Sequence, residues 1–125
     1  MYHILVVDDE AKIREIIKKY AVFEGYRVSE AANGMEAIDL CRTESFDLII
    51  MDVMMPELDG LAATRAIRGM DRPDAQLPII AMTANLFDED VAACLTAGMD
   101  AHIPKPLEAG QMIKTIAEWL ERKKQ

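Results

Sequence analysis

The sequence predicts an α/β fold in which a doubly wound, five-stranded parallel sheet carries helices on both faces. Two observations lead to this prediction. Short apolar runs alternate along the chain with segments whose apolar residues recur at helical spacing, a pattern typical of parallel sheets with crossover helices. The third run, residues 48–51, is wholly apolar and contains no turn residue, which indicates a strand that is covered on both faces.

Five strands and five helices account for nearly the whole chain. The predicted strands are residues 3–7, 26–30, 48–51, 79–82 and 100–103. The predicted helices are residues 12–24, 61–70, 86–97 and 107–123, together with a helix that starts at Asn33. Gly25 and Gly98 suit helix ends, Asn33 and Glu36 have the spacing of a capping box, and Asp59 suits an N-cap.

The spacing of apolar residues also predicts which side of each helix faces the sheet. For the first helix, the expected inward residues are Ile13, Ile16, Ile17, Tyr20 and Phe23. For the later helices, they are Ala37, Ile38, Cys41, Ala63, Ala66, Ile67, Met70, Val91, Cys94, Leu95, Met112, Ile113, Ile116, Ala117 and Leu120.

Length and composition predict one globular domain over residues 1–125. Fourteen basic and 22 acidic side chains give a net charge of −8, which disfavours direct binding to nucleic acid. No apolar run approaches the length of a membrane span, and the N-terminus lacks the pattern of a secretory signal. We therefore expect a cytoplasmic protein without a membrane segment, in which Cys41 and Cys94 are buried, reduced thiols.

Polar side chains follow most of the predicted strands. Asp8 and Asp9 end the first strand, Asp52 ends the third, Thr83 ends the fourth, and Lys105 follows the fifth. Ligands of open parallel sheets bind beyond the carboxyl ends of the strands, so we expect these five residues to share one rim of the sheet.

The residue types on this rim predict phosphoryl chemistry. Three neighbouring carboxylates repel one another and favour a counter-ion, and oxygen ligands without His or Cys point to Mg²⁺ or Mn²⁺. Lys105 and Thr83 add a positive charge and a hydroxyl. Together they could clamp a phosphoryl group on Asp52, a carboxylate that can act as the nucleophile.

The segments ILVVDDE, MDVMMPELDG, the strand that ends at Thr83, and Lys105-Pro106 resemble the receiver domain of two-component response regulators, including the chemotaxis-regulator-like receivers. The resemblance covers essentially the whole chain. It implies a flavodoxin-like fold with strand order 2-1-3-4-5. It also implies that Asp52 accepts a phosphoryl group from a histidine kinase or phosphotransfer domain, without turnover of an outside substrate.

The resemblance further implies a role for each residue of the rim. Asp9, Asp52 and the main-chain carbonyl of Met54 would hold Mg²⁺ directly, whereas Asp8 would act largely through water. Thr83 and Lys105 would bind the phosphoryl oxygens, and the peptide bond before Pro106 would be cis.

Three further positions are expected to tune the switch. His102 stands where the family usually has Tyr or Phe, and it would follow Thr83 inward on phosphorylation. Burying a charged imidazole is costly, so we expect weaker switching in mildly acidic solution. Met54 and Asn85 occupy positions that tune the lifetime of the phosphoryl group.

The surroundings of this domain are less determined by the sequence. The first half resembles receivers of transcription factors, and the second half resembles receivers fused to sensor kinases. A stand-alone receiver, a piece of a larger or hybrid protein, and a chimera therefore all stay open. We expect a monomer or a weak phosphorylation-dependent dimer, with a downstream output domain or protein as a possible partner.

Other functions fit the residues less well. A Mg²⁺-dependent phosphatase or phosphotransferase that uses Asp52 on an outside substrate would need a general acid at the position of Met54, which cannot donate a proton. A flavin mononucleotide carrier would need a phosphate loop where Asp8, Asp9 and Glu10 stand. The segment typical of P-loop nucleotide hydrolases does not occur. A silent pseudo-receiver would normally have lost one of the site residues.

Overall fold

A computed structural model of the chain describes residues 1–55, 58–71, 73–83, 88–105 and 107–124. Its five strands form one parallel sheet in the order β2-β1-β3-β4-β5, which confirms the predicted fold class and strand order. The strands are β1 His3–Val7, β2 Arg27–Ala31, β3 Leu48–Asp52, β4 Ile79–Thr83 and β5 Ala101–Pro104.

Each strand is followed by a helix, and each helix packs on one of the two faces of the sheet. The helices are α1 Ala11–Phe23, α2 Gly34–Thr43, α3 Gly60–Arg68, α4 Asp88–Ala97 and α5 Ala109–Lys124. A 3₁₀ turn at Pro73–Gln76 precedes β4. Most bounds lie within two residues of those predicted, while the predicted start of the fourth helix at Leu86 lies outside the described residues.

The sheet separates two apolar cores, because side chains along a strand point alternately to opposite faces. In β1, Leu5 and Val7 pack with α2, α3 and α4, while Ile4 and Val6 pack with α1 and α5. All residues of β1, β3 and β4 are buried, as expected for central strands of a doubly wound sheet. Both cysteines are buried and form no disulfide bond, as predicted.

The predicted helix ends are confirmed. The N–H of Glu36 donates to Asn33 Oδ1 at 2.9 Å, as in a capping box, while the Glu36 carboxylate accepts from the side-chain amide of Asn33 at 3.2 Å and not from its main-chain N–H. Asp59 Oδ1 accepts from the N–H of Ala62 at 2.9 Å. Gly25 and Gly98 have φ of +93° and +109°, a backbone conformation that favours glycine.

For several helix residues, the prediction that they face the sheet is wrong. On α1, Ile17 and Ala21 are buried, while Phe23 is 86% exposed and Ile16 and Tyr20 also lie at the surface. The helix meets the sheet along a narrow line of residues four apart, so its other apolar residues fall on the flank. For the same reason Ala66 of α3 is exposed, and so is Leu95 of α4.

Arg68, in the last turn of α3, forms hydrogen bonds with the segments that precede β4 and β5. These bonds lie at the edge of the sheet opposite the one that carries Asp8 and Asp52. Its Nε and Nη2 donate to the carbonyl oxygen of Gly98 at 2.9 and 2.8 Å. Its Nη1 donates to the carbonyl oxygens of Ala75 and Leu77. Its Nη2 also pairs with Asp100 Oδ2 at 2.7 Å.

Gly60 lies where α3 begins beside the end of β3. The Gly60 N–H donates to the carbonyl oxygen of Val53 at 3.1 Å. A Cβ atom at Gly60 would lie inside van der Waals contact with the main-chain carbonyl of Asp52. This close approach requires glycine, because the main chain cannot move aside as a flexible side chain could.

We therefore expect Gly60→Ala to lower the free energy of unfolding by about 1–3 kcal/mol, measured by urea denaturation. Gly69→Ala is a matched control, because its Cβ would meet its nearest neighbour, the Arg65 carbonyl oxygen, at an ordinary 3.4 Å. Equal stability of the two variants would contradict this explanation.

Across the described residues, no helix combines the length and apolarity needed to cross a membrane.

Candidate functional site

The turn after β1 holds two carboxylates in different surroundings. Asp8 is fully buried, whereas Asp9 is exposed. The N–H of Asp8 donates to the carbonyl oxygen of Ala31 on β2 at 3.2 Å. Asp8 Oδ1 accepts from the N–H of Glu10 at 2.8 Å, which fixes the buried carboxylate at the end of the strand.

Asp52 ends β3, the central strand of the sheet. It is only 3% exposed, and its Oδ1 accepts a 3.2 Å hydrogen bond from the N–H of Met54. The strand continues its pairing with β4 up to this point, since the N–H of Val53 donates to the carbonyl oxygen of Met82 at 3.0 Å. The continuous ladder therefore holds the carboxylate at the carboxyl edge of the sheet.

Lys105 joins the acids of the two strands. Its Nζ lies 3.1 Å from Asp8 Oδ2 and 3.4 Å from Asp52 Oδ1. The N–H of Lys105 donates to the carbonyl oxygen of Thr83 at 3.0 Å, so the lysine leaves the sheet directly beside the end of β4. The ammonium therefore bridges Asp8 and Asp52 within one pocket.

Thr83 is buried at the end of β4, where the register pairs it with Pro104. His102 lies two residues before Pro104 on β5 and is exposed. Both line a groove of about 420 Å³ that also contacts Leu95 and Trp119. Thr83 and His102 thus both line a groove that is formed by residues of α4, β5 and α5.

Of the positions expected to tune the site, Met54 lies in the loop after β3 and is 68% exposed. Asn85 and Pro106 lie outside the described residues. The roles of Met54 and Asn85 and the cis peptide bond before Pro106 therefore stay predictions.

Burial and a second carboxylate dominate the electrostatics of Asp52. Burial first, and then the Asp8 charge, raise the pKa of Asp52 from 3.8 to about 6, although Lys105 and the Met54 N–H act in the opposite direction. Burial lowers the pKa of Lys105, but its bonds and ion pairs with Asp8 and Asp52 outweigh burial and raise that pKa overall. One ammonium thus only partly compensates the acids around it.

The residues present fit a divalent cation. Carboxylate oxygens of Asp8, Asp9 and Asp52 all lie within 4.8 Å of one another. Asp8 Oδ2 is buried, and within the described parts of the chain its partner is the Lys105 ammonium at 3.1 Å, with no second hydrogen-bond donor. A buried carboxylate oxygen with so few partners, beside two further carboxylates, suits a hard cation that prefers oxygen ligands.

Two residues beside this cluster were not predicted from the sequence. Arg14 of α1 donates through Nη1 to the main-chain carbonyl oxygen of Asp8 at 2.7 Å, and its Nε pairs with Glu30 Oε1 at 3.2 Å. The sequence carries no signal for these bonds. One partner is the main-chain carbonyl of Asp8, and the other, Glu30, lies on β2 and not on the helix that carries Arg14.

Comparisons with known proteins agree with this architecture. A family model of the response regulator receiver domain matches residues 4–117. Response regulator MprA of Mycobacterium tuberculosis (strain H37Ra) is 38% identical over 121 residues, which are 97% of this chain and 51% of that protein. The chain therefore spans about half the length of the curated relatives it matches.

Solved structures give the same result. Chemotaxis protein CheY4 of Vibrio cholerae matches with a TM-score of 0.90 and 30% identity over 95% of this chain and 98% of that one. The receiver domain of sensor histidine kinase PA1611 from Pseudomonas aeruginosa PAO1 matches with a TM-score of 0.87 and 34% identity, over 96% and 98% of the two chains. In that structure a magnesium ion is coordinated in the active-site cleft. The comparisons lend no support to a phosphatase that acts on an outside substrate.

Proposed function

Because the chain belongs to the response regulator receiver domain family, we propose that it is a phosphorylation switch in which Asp52 accepts the phosphoryl group. One observation carries the proposal more than any other. Asp52 is nearly buried at the end of the central strand, with Asp8 and Lys105 in the same pocket. A carboxylate between an acidic pair and an ammonium is suited to phosphoryl transfer, which needs positioning and charge neutralisation.

The proposed cation is Mg²⁺, and Mn²⁺ would bind the same oxygen ligands. Asp9, Asp52 and the main-chain carbonyl of Met54 would hold it directly, and Asp8 would act largely through water. When bound, it would neutralise negative charge on the phosphoryl oxygens. The magnesium ion in the cleft of the related PA1611 receiver domain supports this proposal.

In the proposed reaction, a carboxylate oxygen of Asp52 attacks phosphorus. A new O–P bond forms while the P–N bond to a histidine of the donor breaks, and the released imidazole takes up a proton. Lys105 and Thr83 hold the phosphoryl oxygens during transfer and afterwards. Water later attacks the phosphorus, the Asp52 O–P bond breaks, and inorganic phosphate leaves while the carboxylate is regenerated, so no outside substrate is turned over.

Phosphorylation adds negative charge next to Lys105, and we propose that the Lys105 ammonium and the Thr83 hydroxyl then shift toward it. His102 would follow Thr83 and change the surface formed by α4, β5 and α5. Met54 and Asn85 would set the lifetime of the phosphoryl group.

The partners follow from the same chemistry. The donor is a histidine kinase or phosphotransfer domain. Residues 1–125 act as one receiver unit, and the output is a further domain or a separate protein. This unit is a monomer or a weak dimer once phosphorylated. We propose a cytoplasmic location, which agrees with Cys41 and Cys94 being buried and outside any disulfide bond.

The experiment is incubation of the chain with Mg²⁺ and phosphoramidate, followed by intact-mass measurement. We expect the chain to gain the mass of one phosphoryl group, and Asp52→Asn to gain none, because the amide is not a nucleophile here. Chelation of Mg²⁺ should slow the gain strongly. Asp39→Asn is a matched control, since Asp39 is an exposed acid of α2 that pairs with Arg42. Equal labelling of the chain and of Asp52→Asn would reject the proposal.

A further inference from the structure

Arg14 connects the acidic cluster to the edge strand of the sheet. It lies in the first turn of α1, and its guanidinium reaches back to the Asp8 carbonyl oxygen, 2.7 Å from Nη1. The same guanidinium pairs with Glu30, next to the last residue of β2. The Arg14 side chain is 18% exposed and its bond to Asp8 is partly buried, whereas its pair with Glu30, which is 33% exposed, lies at the surface.

The hydrogen bond from Arg14 to the Asp8 carbonyl oxygen also restrains Asp9. The Asp8 carbonyl and the Asp9 N–H are parts of one planar peptide group. Holding the oxygen therefore holds the plane from which the Asp9 side chain departs. The Asp8 N–H is bonded to Ala31 and its carboxylate to the Glu10 N–H, so Arg14 adds the restraint on the carbonyl side.

We infer that Arg14 is a positioning residue for the cation site. Held by Glu30, it fixes the Asp8–Asp9 peptide so that both carboxylates meet Asp52 around one divalent cation. Arg14 acts through the main chain, since a guanidinium cannot itself bind a cation. The inference rests on the proposed function, because it concerns the cation site of the same pocket.

Removal of Arg14 has two opposing effects. Loss of a positive charge near a cation site strengthens cation binding, but salt screens this Coulomb effect. Loss of the carbonyl restraint weakens binding, because carboxylates that repel one another then move apart. The second effect should be larger, since residues that orient metal ligands typically contribute about 10- to 100-fold in affinity.

The test is calorimetric titration of the whole chain with Mg²⁺ alone at moderate salt. Arg14→Ala should raise the Mg²⁺ dissociation constant by about tenfold. Arg14→Lys should recover part of the loss, because an ammonium can reach one of the two partners but lacks the planar fork that reaches both. Glu30→Gln should give a smaller loss, since the guanidinium keeps its bond to Asp8.

Lys18→Ala is the matched control. Lys18 lies on the same helix, and its Nζ is 3.7 Å from Glu30 Oε2, so the variant removes the same charge beside the same acid. No contact between Lys18 and Asp8 is among the ion pairs and hydrogen bonds of the described residues. The Mg²⁺ dissociation constant of Lys18→Ala should therefore stay within about twofold of that of the unmodified chain.

A second readout does not depend on the cation. In the metal-free protein, the NMR amide signals of Asp9 and Glu10 should shift in Arg14→Ala and much less in Lys18→Ala. The inference is overturned if the unmodified chain binds Mg²⁺ and Arg14→Ala binds it equally tightly. It is also overturned if Arg14→Lys recovers nothing or if Lys18→Ala loses as much affinity. Absence of Mg²⁺ binding by the unmodified chain would instead reject the proposed cation site itself, and this inference with it.

Discussion

Replacement of Arg68 by alanine is expected to lower the free energy of unfolding by about 2–4 kcal/mol. Five hydrogen bonds from this side chain reach Gly98, Asp100 and the segment before β4. The side chain is 15% exposed, so water replaces few of these bonds after truncation. The partners that stay buried then lose donors, which is costlier than the net value of each bond.

Urea denaturation of Arg68→Ala and of Arg65→Ala checks this expectation. Arg65 lies on the same helix and is exposed, so its loss should change the free energy of unfolding by less than about 0.5 kcal/mol. Asp100→Asn should show part of the Arg68 effect, because Asp100 Oδ2 also accepts from the N–H of Ile79 at 2.9 Å. A similar loss in Arg65→Ala and Arg68→Ala would contradict the role given to these bonds.

Metal-free protein is expected to become more stable when Asp52 is replaced by asparagine, by up to about 3 kcal/mol at pH 8. Burial and the Asp8 charge raise the pKa of Asp52 from 3.8 to about 6. A carboxyl with a raised pKa holds its proton more tightly in the folded protein. Its contribution to stability is therefore complete below about pH 3.8 and is lost as the pH rises through about 6. Asparagine cannot ionise, so it avoids this loss.

The difference between the two proteins should accordingly shrink as the pH falls from 8 to 4, measured by urea denaturation with a chelator present. Asp39→Asn should show little change in stability at either pH, because the Asp39 side chain is 65% exposed. Saturating Mg²⁺ should reverse the order, because the unmodified chain keeps all three carboxylates and gains more from binding. If the difference in free energy of unfolding between the two proteins were the same at pH 4 and pH 8, ionisation of Asp52 would not be its cause.

The sequence by itself determines the fold class and most of the site. Wholly apolar strands need cover on both faces, and their regular alternation with helices leaves the parallel doubly wound sheet as the consistent arrangement. Parallel strands place their carboxyl ends on one edge. Residues far apart in the chain, such as Asp8, Asp52 and Lys105, could therefore be assigned to one pocket before any distance was known.

The tertiary structure decides what depends on distances between elements. Apolar spacing predicts that Phe23 is buried, but the narrow contact between α1 and the sheet leaves it at the surface. Lys105 pairs with Asp8 as well as Asp52, and Arg14 and Arg68 bind main-chain carbonyls of distant segments. A main-chain carbonyl is the same group in every residue, so a sequence cannot mark which one an arginine will reach. Only the packing of helices against the sheet brings these partners within bonding distance.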